Sequence, residues 1–145
     1  MRLMGRLLAI DYGTKRTGLA VTDNLKIIAT GLSTVLTKDL LTFLKTYVSK
    51  EEVDRFIVGA PMQTNNKPSE NMKYVEVFVN KLKKEIPHID VEFYDERFTS
   101  VMAHKAMLDG GLKKKDRQNK ALVDEISAVI LLQSYMESSI YKKSF

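Results

Sequence analysis

Three places in this sequence put carboxylates where carboxylates are costly. Asp11 closes the apolar run Leu7–Ile10, Asp95 and Glu96 close the apolar run Val91–Tyr94, and Asp124 stands among Val123, Ile126 and other apolar residues. A carboxylate at the end of a buried element needs a cationic side chain, backbone N–H groups or a metal ion to offset its desolvation. Strand ends of one sheet can be neighbours, and a helix can lay one face across them. Carboxylates gathered that way repel one another and stay fully ionised only around a cation. Hard divalent ions such as Mg²⁺ or Mn²⁺ take such oxygen ligands together with water and phosphate oxygens. The chemistry that arrangement serves is phosphoryl transfer, in which the ion activates water and stabilises the charged oxygens. Taken singly, each group has an ordinary reading: Asp11 as a turn residue, Asp95 and Glu96 as a solvated strand end, Asp124 as an acid in a first helical turn favoured by the dipole. Helical spacing does not choose between Asp124 and Glu125, because the segment is apolar on both sides.

The elements that must position these residues follow from periodicity. Leu7–Asp11, Thr17–Thr22 and Lys26–Val35 read as three strands joined by the turn signals Asp11-Tyr12-Gly13-Thr14 and Asp23-Asn24, an antiparallel meander. Leu40, Leu44, Tyr47 and Val48 then recur at helical spacing, with Thr37 the expected N-cap. Phe56–Gly59 reads as a fourth strand and Met62–Ser69 as a polar loop. Met72, Val75, Val79, Leu82 and Ile86 mark an amphipathic helix stopped by Pro87. Val91–Tyr94 is a fifth strand, Thr99 or Ser100 caps a short helix ended by Gly110-Gly111, and Ala121–Met136 is a final helix. Three antiparallel strands followed by alternating helices and strands predict an α/β fold with a five-stranded mixed sheet flanked by helices.

Bulk properties narrow the classes. At 145 residues one domain is expected over 1–145. The net charge of +5 suits a polyanionic partner. The absence of cysteine excludes disulfides and thiolate zinc sites. No apolar run has the length of a signal-peptide core or a membrane span, so the expectation is a cytoplasmic protein with no membrane partner.

Four separated stretches, "AIDYGTKRTGLAV" (9–21), "IVGAP" (57–61), "YDERFTS" (94–100) and "VDEISAVILLQSYME" (123–137), together resemble the YqgF (RuvX) family. Its members are described as pre-16S ribosomal RNA nucleases and Holliday-junction-resolvase-like proteins. The resemblance implies a ribonuclease H-like fold and metal-dependent hydrolysis of phosphodiester bonds in a ribosomal RNA precursor or junction DNA, with the ribosome a further partner. It also implies catalytic, Mg²⁺- or Mn²⁺-binding acids at Asp11, Glu96 and Asp124, choosing Glu96 over Asp95 and Asp124 over Glu125. One departure is the stretch Met62-Gln63-Thr64-Asn65-Asn66-Lys67, which lacks the glycine-containing turn usual after that fourth strand.

Around those acids, Gly13 lets the backbone turn close to the site or simply closes a hairpin. Lys15, Arg16 and Arg97 are candidate phosphate contacts, and Thr99 is a helix cap that could also touch nucleic acid. Lys113, Lys114, Lys115, Arg117 and Lys120 form a basic stretch leading into the Asp124 helix and would guide a polyanion without reading its sequence. Two other functions compete. The Asp-x-Gly-Thr turn also resembles the phosphate hairpin of actin-like ATPases and sugar kinases, which need two such domains. A non-catalytic adaptor in ribosome biogenesis or transcription would need the basic stretch and no carboxylates.

Overall fold

A computed structural model describes residues 5–61, 70–95 and 119–138. In chain order these form β1 (Arg6–Asp11), β2 (Arg16–Thr22), β3 (Ala29–Leu36), a 3₁₀ turn (Thr37–Asp39), α1 (Leu40–Lys50), β4 (Val53–Ala60), α2 (Met72–Glu85), β5 (Asp90–Asp95) and α3 (Lys120–Glu137). The five strands make one sheet in the order β3-β2-β1-β4-β5. β1 pairs antiparallel with β2 and parallel with β4, and β4 pairs parallel with β5. The mixed sheet and its antiparallel meander are as the sequence predicts. β1 is the strand at which the connection order reverses, the kind of position where open α/β sheets bind ligands beyond their carboxyl ends.

Both faces of the sheet are covered, which is why β1 reads as an unbroken apolar run rather than an alternating one. Leu8, Ile10, Leu19, Val21, Phe56 and Val58 point to one side, against Leu40 and Leu44 of α1 and Val75, Val79 and Leu82 of α2. Leu7, Ala9, Ala20 and Ile57 point to the other side, against Ala128, Leu131, Leu132 and Tyr135 of α3. Ala9, Gly18 and Ala20 on the α3 side of β1 and β2 are small, so that helix lies close to the strands there.

Several boundaries differ from the sequence reading: β4 is longer than read, Val53–Ala60 instead of Phe56–Gly59, most other ends move by a residue, and three differences have a clear local reason. β3 begins at Ala29, not Lys26. The Asp23 carboxylate accepts backbone N–H bonds from Leu25, Ile27 and Ile28, and these, led by the Ile28 bond, hold its pKa below the usual carboxylate value. That Asx-type turn puts Lys26 at φ 57° and aims its ammonium inward at Asp54, 2.7 Å away. Thr37 does not cap α1: it is the first residue of the 3₁₀ turn, and the α1 N-cap is Asp39, with no side-chain bond. Lys120 belongs to α3, whose N-cap Asn119 accepts a bond from the Leu122 N–H at 3.2 Å. The segments read as the loop Met62–Ser69, the short helix after Thr99 and the basic stretch 113–118 lie outside the described residues.

Candidate active site at the carboxyl end of the sheet

The carboxyl ends of β1, β4 and β5 lie at one edge, so Asp11 and Asp95 both terminate strands there. Their registers carry this through: Ile10 stands beside Val58, and Ala60 beside Asp95. Alternation along β1 sends Asp11 to the α3 side, with Leu7 and Ala9. Directly opposite Asp11 on β2 is Gly18. A Cβ on Gly18 would meet the Asp124 carbonyl oxygen at 2.0 Å and its carbonyl carbon at 2.5 Å. The first turn of α3 therefore rests directly on the rung that holds Asp11. Glycine at 18 makes this possible, the use of a strand glycine where another backbone approaches closely. Asp124 and Asp11 are thereby brought to one face of one strand end.

Asp124 and Glu125 go separate ways. The Asp124 carboxylate is held by Arg16, whose Nε donates to Oδ2 at 3.2 Å. The Glu125 side chain lies over β3, where a Cβ on Gly31 would meet its Oε1 at 2.2 Å. Arg16 opens β2 next to the end of β1, so the guanidinium expected to touch phosphate pairs with Asp124 beside that strand end, half-buried. Lys15 is exposed beside it.

The loop from Asp11 to Arg16 is fastened by two threonines. The Thr37 N–H donates to the Lys15 carbonyl at 2.9 Å. The Thr37 hydroxyl donates to the Gly13 carbonyl at 2.5 Å. Thr17 and Thr37 hydroxyls are 2.9 Å apart, and since Thr37 has spent its one proton on a carbonyl, Thr17 is the donor between them. A longer 3.5 Å contact from the Gly13 N–H to the Thr17 hydroxyl closes the ring. Gly13 itself could carry no side chain, because a Cβ would meet the Arg16 carbonyl at 2.3 Å. Its requirement is therefore that of the hairpin closing on itself. Sequence reasoning missed Thr17, Thr37 and Gly18 as site-building residues. A glycine inside an otherwise apolar strand was the available signal for Gly18; the threonines, far apart in the chain, carried none.

Glu96 follows Asp95 directly but lies, with Arg97, Thr99, Lys113, Lys114, Lys115 and Arg117, outside the described residues. Among the described residues no three carboxylate or histidine side chains gather into a metal-sized cluster. The donors at this edge are carboxylate oxygens, the set a hard divalent cation takes.

Residues 5–138 match the family described as "RuvX: Holliday junction resolvase". The chain belongs to the RuvX family. Curated relatives within reach of this RuvX-family chain include a protein of Phocaeicola vulgatus, 70% identical over 138 residues that cover 95% of this chain and 99% of the relative. One from Parabacteroides distasonis is 63% identical over 139 residues, covering 96% and 99%. One from Flavobacterium psychrophilum is 53% identical over 137 residues, covering 94% and 100%. All three carry the name "Putative pre-16S rRNA nuclease". Among solved structures, Thermus thermophilus RuvC in complex with a Holliday junction superposes with a TM-score of 0.55 at 15% identity, covering 92% of this chain and 97% of that one. That likeness gives the ribonuclease H-like fold expected from the motifs. Among the described residues no helix is long and apolar enough to cross a membrane.

Proposed function

We propose that this RuvX-family chain, acting as one unit over residues 1–145, is a divalent-metal-dependent nuclease that hydrolyses phosphodiester bonds at the ends of precursor 16S ribosomal RNA. The observation that supports this most is the seating of the Asp124 turn on Gly18, across from Asp11. Two acids more than a hundred residues apart in sequence share one strand end for which a core has no use. Near-full-length relatives named as pre-16S rRNA nucleases supply the substrate. A cytoplasmic location follows from that substrate.

In this reading Asp11, Glu96 and Asp124 hold Mg²⁺ or Mn²⁺ through their carboxylate oxygens. The bound ion supplies Lewis-acid stabilisation of phosphoryl oxygens and a more acidic water. Asp11 is held in position by the strand itself and by the threonine-fastened loop after it. Arg16 neutralises Asp124 in the absence of the ion and supplies a cation beside the phosphate. The phosphate contacts in this reading are Lys15, Arg97, Thr99, Lys113, Lys114, Lys115 and Arg117, whose cations would raise the local concentration of a polyanion.

The test offers purified protein with Mn²⁺ a precursor 16S RNA fragment, junction DNA and blunt duplex DNA, beside Asp11→Asn. Cleavage of the precursor that Asp11→Asn abolishes, with unchanged circular dichroism, is the expected result. Preference for junction DNA would move the substrate to the resolvase reading in the family's description. Equal cleavage by Asp11→Asn, or RNA binding that needs neither carboxylates nor metal with no cleavage, would overturn the assignment in favour of an adaptor.

A further inference from the structure

On the face of the sheet opposite Asp124 lies a groove of about 340 Å³ between the start of α1 and the outer side of α2. Its floor is Tyr12, the residue after Asp11, whose ring stacks on Phe78 with centroids 5.3 Å apart. One wall is Leu41, with Lys38 at its rim; the other is Tyr74, Val77 and Lys81. The last three fall at three- and four-residue spacing on α2, off the stripe that packs into the core. Tyr74 and Val77 are 47% and 55% exposed, so α2 presents an aromatic and an aliphatic side chain to solvent along one line. Lys73 adds a third cation, its Nζ 5.3 Å from the Tyr74 ring centroid. None of the described residues lining the groove is acidic. Neither Lys38 nor Lys81 has an ion-pair partner among the described residues.

An apolar, aromatic-walled slot rimmed by cations fits a planar group attached to an anion. We propose that this groove seats an unpaired nucleotide of a single-stranded nucleic acid, its base against Tyr74 and Tyr12 and its phosphates on Lys38 and Lys81. The inference deepens the nuclease reading and rests on it for the direction of the strand. Asp11 and Tyr12 are consecutive, with Asp11 on the α3 side and Tyr12 on the α2 side. A strand whose phosphate lies at Asp11 passes over the β1–β2 loop and carries its neighbouring nucleotide into the groove. Thr37, which fastens that loop through Gly13, is also part of the groove wall, so slot and carboxylate end share one rigid support. A paired duplex cannot offer a base face to such a slot, whereas single strands bind by stacking splayed bases on aromatic side chains.

Fluorescence anisotropy tests this with full-length protein in EDTA, using labelled oligouridylate, oligothymidylate and a blunt RNA duplex. The variants are Tyr74→Ala, Val77→Asp and Lys81→Gln, all at exposed positions, with melting curves to show that each is folded. Loss of one base stack should weaken oligouridylate binding by Tyr74→Ala about 5- to 150-fold. Val77→Asp should weaken it similarly, and duplex binding should change in neither. Lys81→Gln should lower the salt slope by about 0.7. Oligothymidylate affected like oligouridylate means that the slot reads the base face; a smaller effect means that it reads the ribose as well. Wild-type protein that does not bind single strands, Tyr74→Ala and Val77→Asp that bind as wild type, or equal losses on single strand and duplex would each overturn the groove. Asp11-dependent cleavage with unchanged Tyr74→Ala binding would refute the groove alone. Tyr74-dependent binding without any cleavage would refute the nuclease reading alone.

Discussion

Gly18→Ala isolates the contact on which the site is built. The added Cβ would stand 2.0 Å from the Asp124 carbonyl oxygen, 2.5 Å from its carbon and 3.2 Å from the Glu125 nitrogen. All three are backbone atoms of the first turns of α3, so no side-chain rotation relieves the overlap. Ordinary Cβ contact begins near 3.4 Å, and the helix must therefore shift by more than an ångström. Overpacking of this kind costs about 1–3 kcal/mol. Removing a strand glycine returns about 0.5–1 kcal/mol of backbone entropy. The clash wins by about 1–2 kcal/mol, and Tm should fall by about 3–8 °C for a chain of this length. Because Asp124 travels with the displaced turn, Mn²⁺-dependent cleavage should fall by about 100-fold, the cost of a misplacement near 1 Å. Gly31→Ala is the control. Its Cβ would meet the flexible Glu125 side chain from Cγ outward instead of backbone, and that side chain can swing away, so its melting should change by no more than about 2 °C. Differential scanning calorimetry and cleavage on both variants decide the matter. A Gly18→Ala protein that melts with Gly31→Ala and cleaves at the wild-type rate would refute the reasoning.

Arg16→Gln removes a partly exposed pair worth less than about 1 kcal/mol, so melting should scarcely move, but Mn²⁺ affinity should rise several-fold because a competing cation leaves Asp124; calorimetric titration reads it. Lys26→Met removes one charged hydrogen bond from the largely buried Lys26–Asp54 pair, and a loss of about 1.5–3 kcal/mol should appear as a lowered urea midpoint. Tyr135 is fully buried, donates to Glu92 Oε2 at 2.5 Å, and has its pKa pushed up to about 12 by burial first and by Glu92 next. The unfolded phenol loses its proton near pH 10 while the folded one keeps it to about 12. Stability contributed below pH 10 is therefore lost as pH rises through 12, about 3 kcal/mol, and Tyr135→Phe should flatten that alkaline slope in urea titrations.

The succession of strands and helices along the chain and the position of Asp11 were legible because they rest on local patterns: apolar runs bounded by turn residues, and spacing of three and four; the order of the strands across the sheet rests on tertiary pairing and was not. The start of β3 was not, because β-branched and apolar residues such as Ile27 and Ile28 look like strand until the Asp23 carboxylate is seen capturing their N–H groups. Thr37 has the composition of an N-cap, yet its hydroxyl is drawn to Gly13, 24 residues earlier, a partner that no local rule identifies. Spacing alone could not separate Asp124 from Glu125, since both flank the same apolar stripe. Tertiary contact separates them, one lying toward Arg16 and the other over Gly31. The exposed stripe Tyr74, Val77 and Lys81 was likewise invisible, as an amphipathic helix reveals its packed face more readily than a second use of its outer one.

Binding of Mn²⁺ itself tests the central claim most directly. Depletion of the free-ion paramagnetic resonance signal should show wild-type protein taking up Mn²⁺, and Asp11→Asn and Asp124→Asn each should bind it at least about tenfold more weakly while melting as folded proteins. Uptake that neither substitution alters would mean that these two acids do not share an ion, and the account of the site would be wrong.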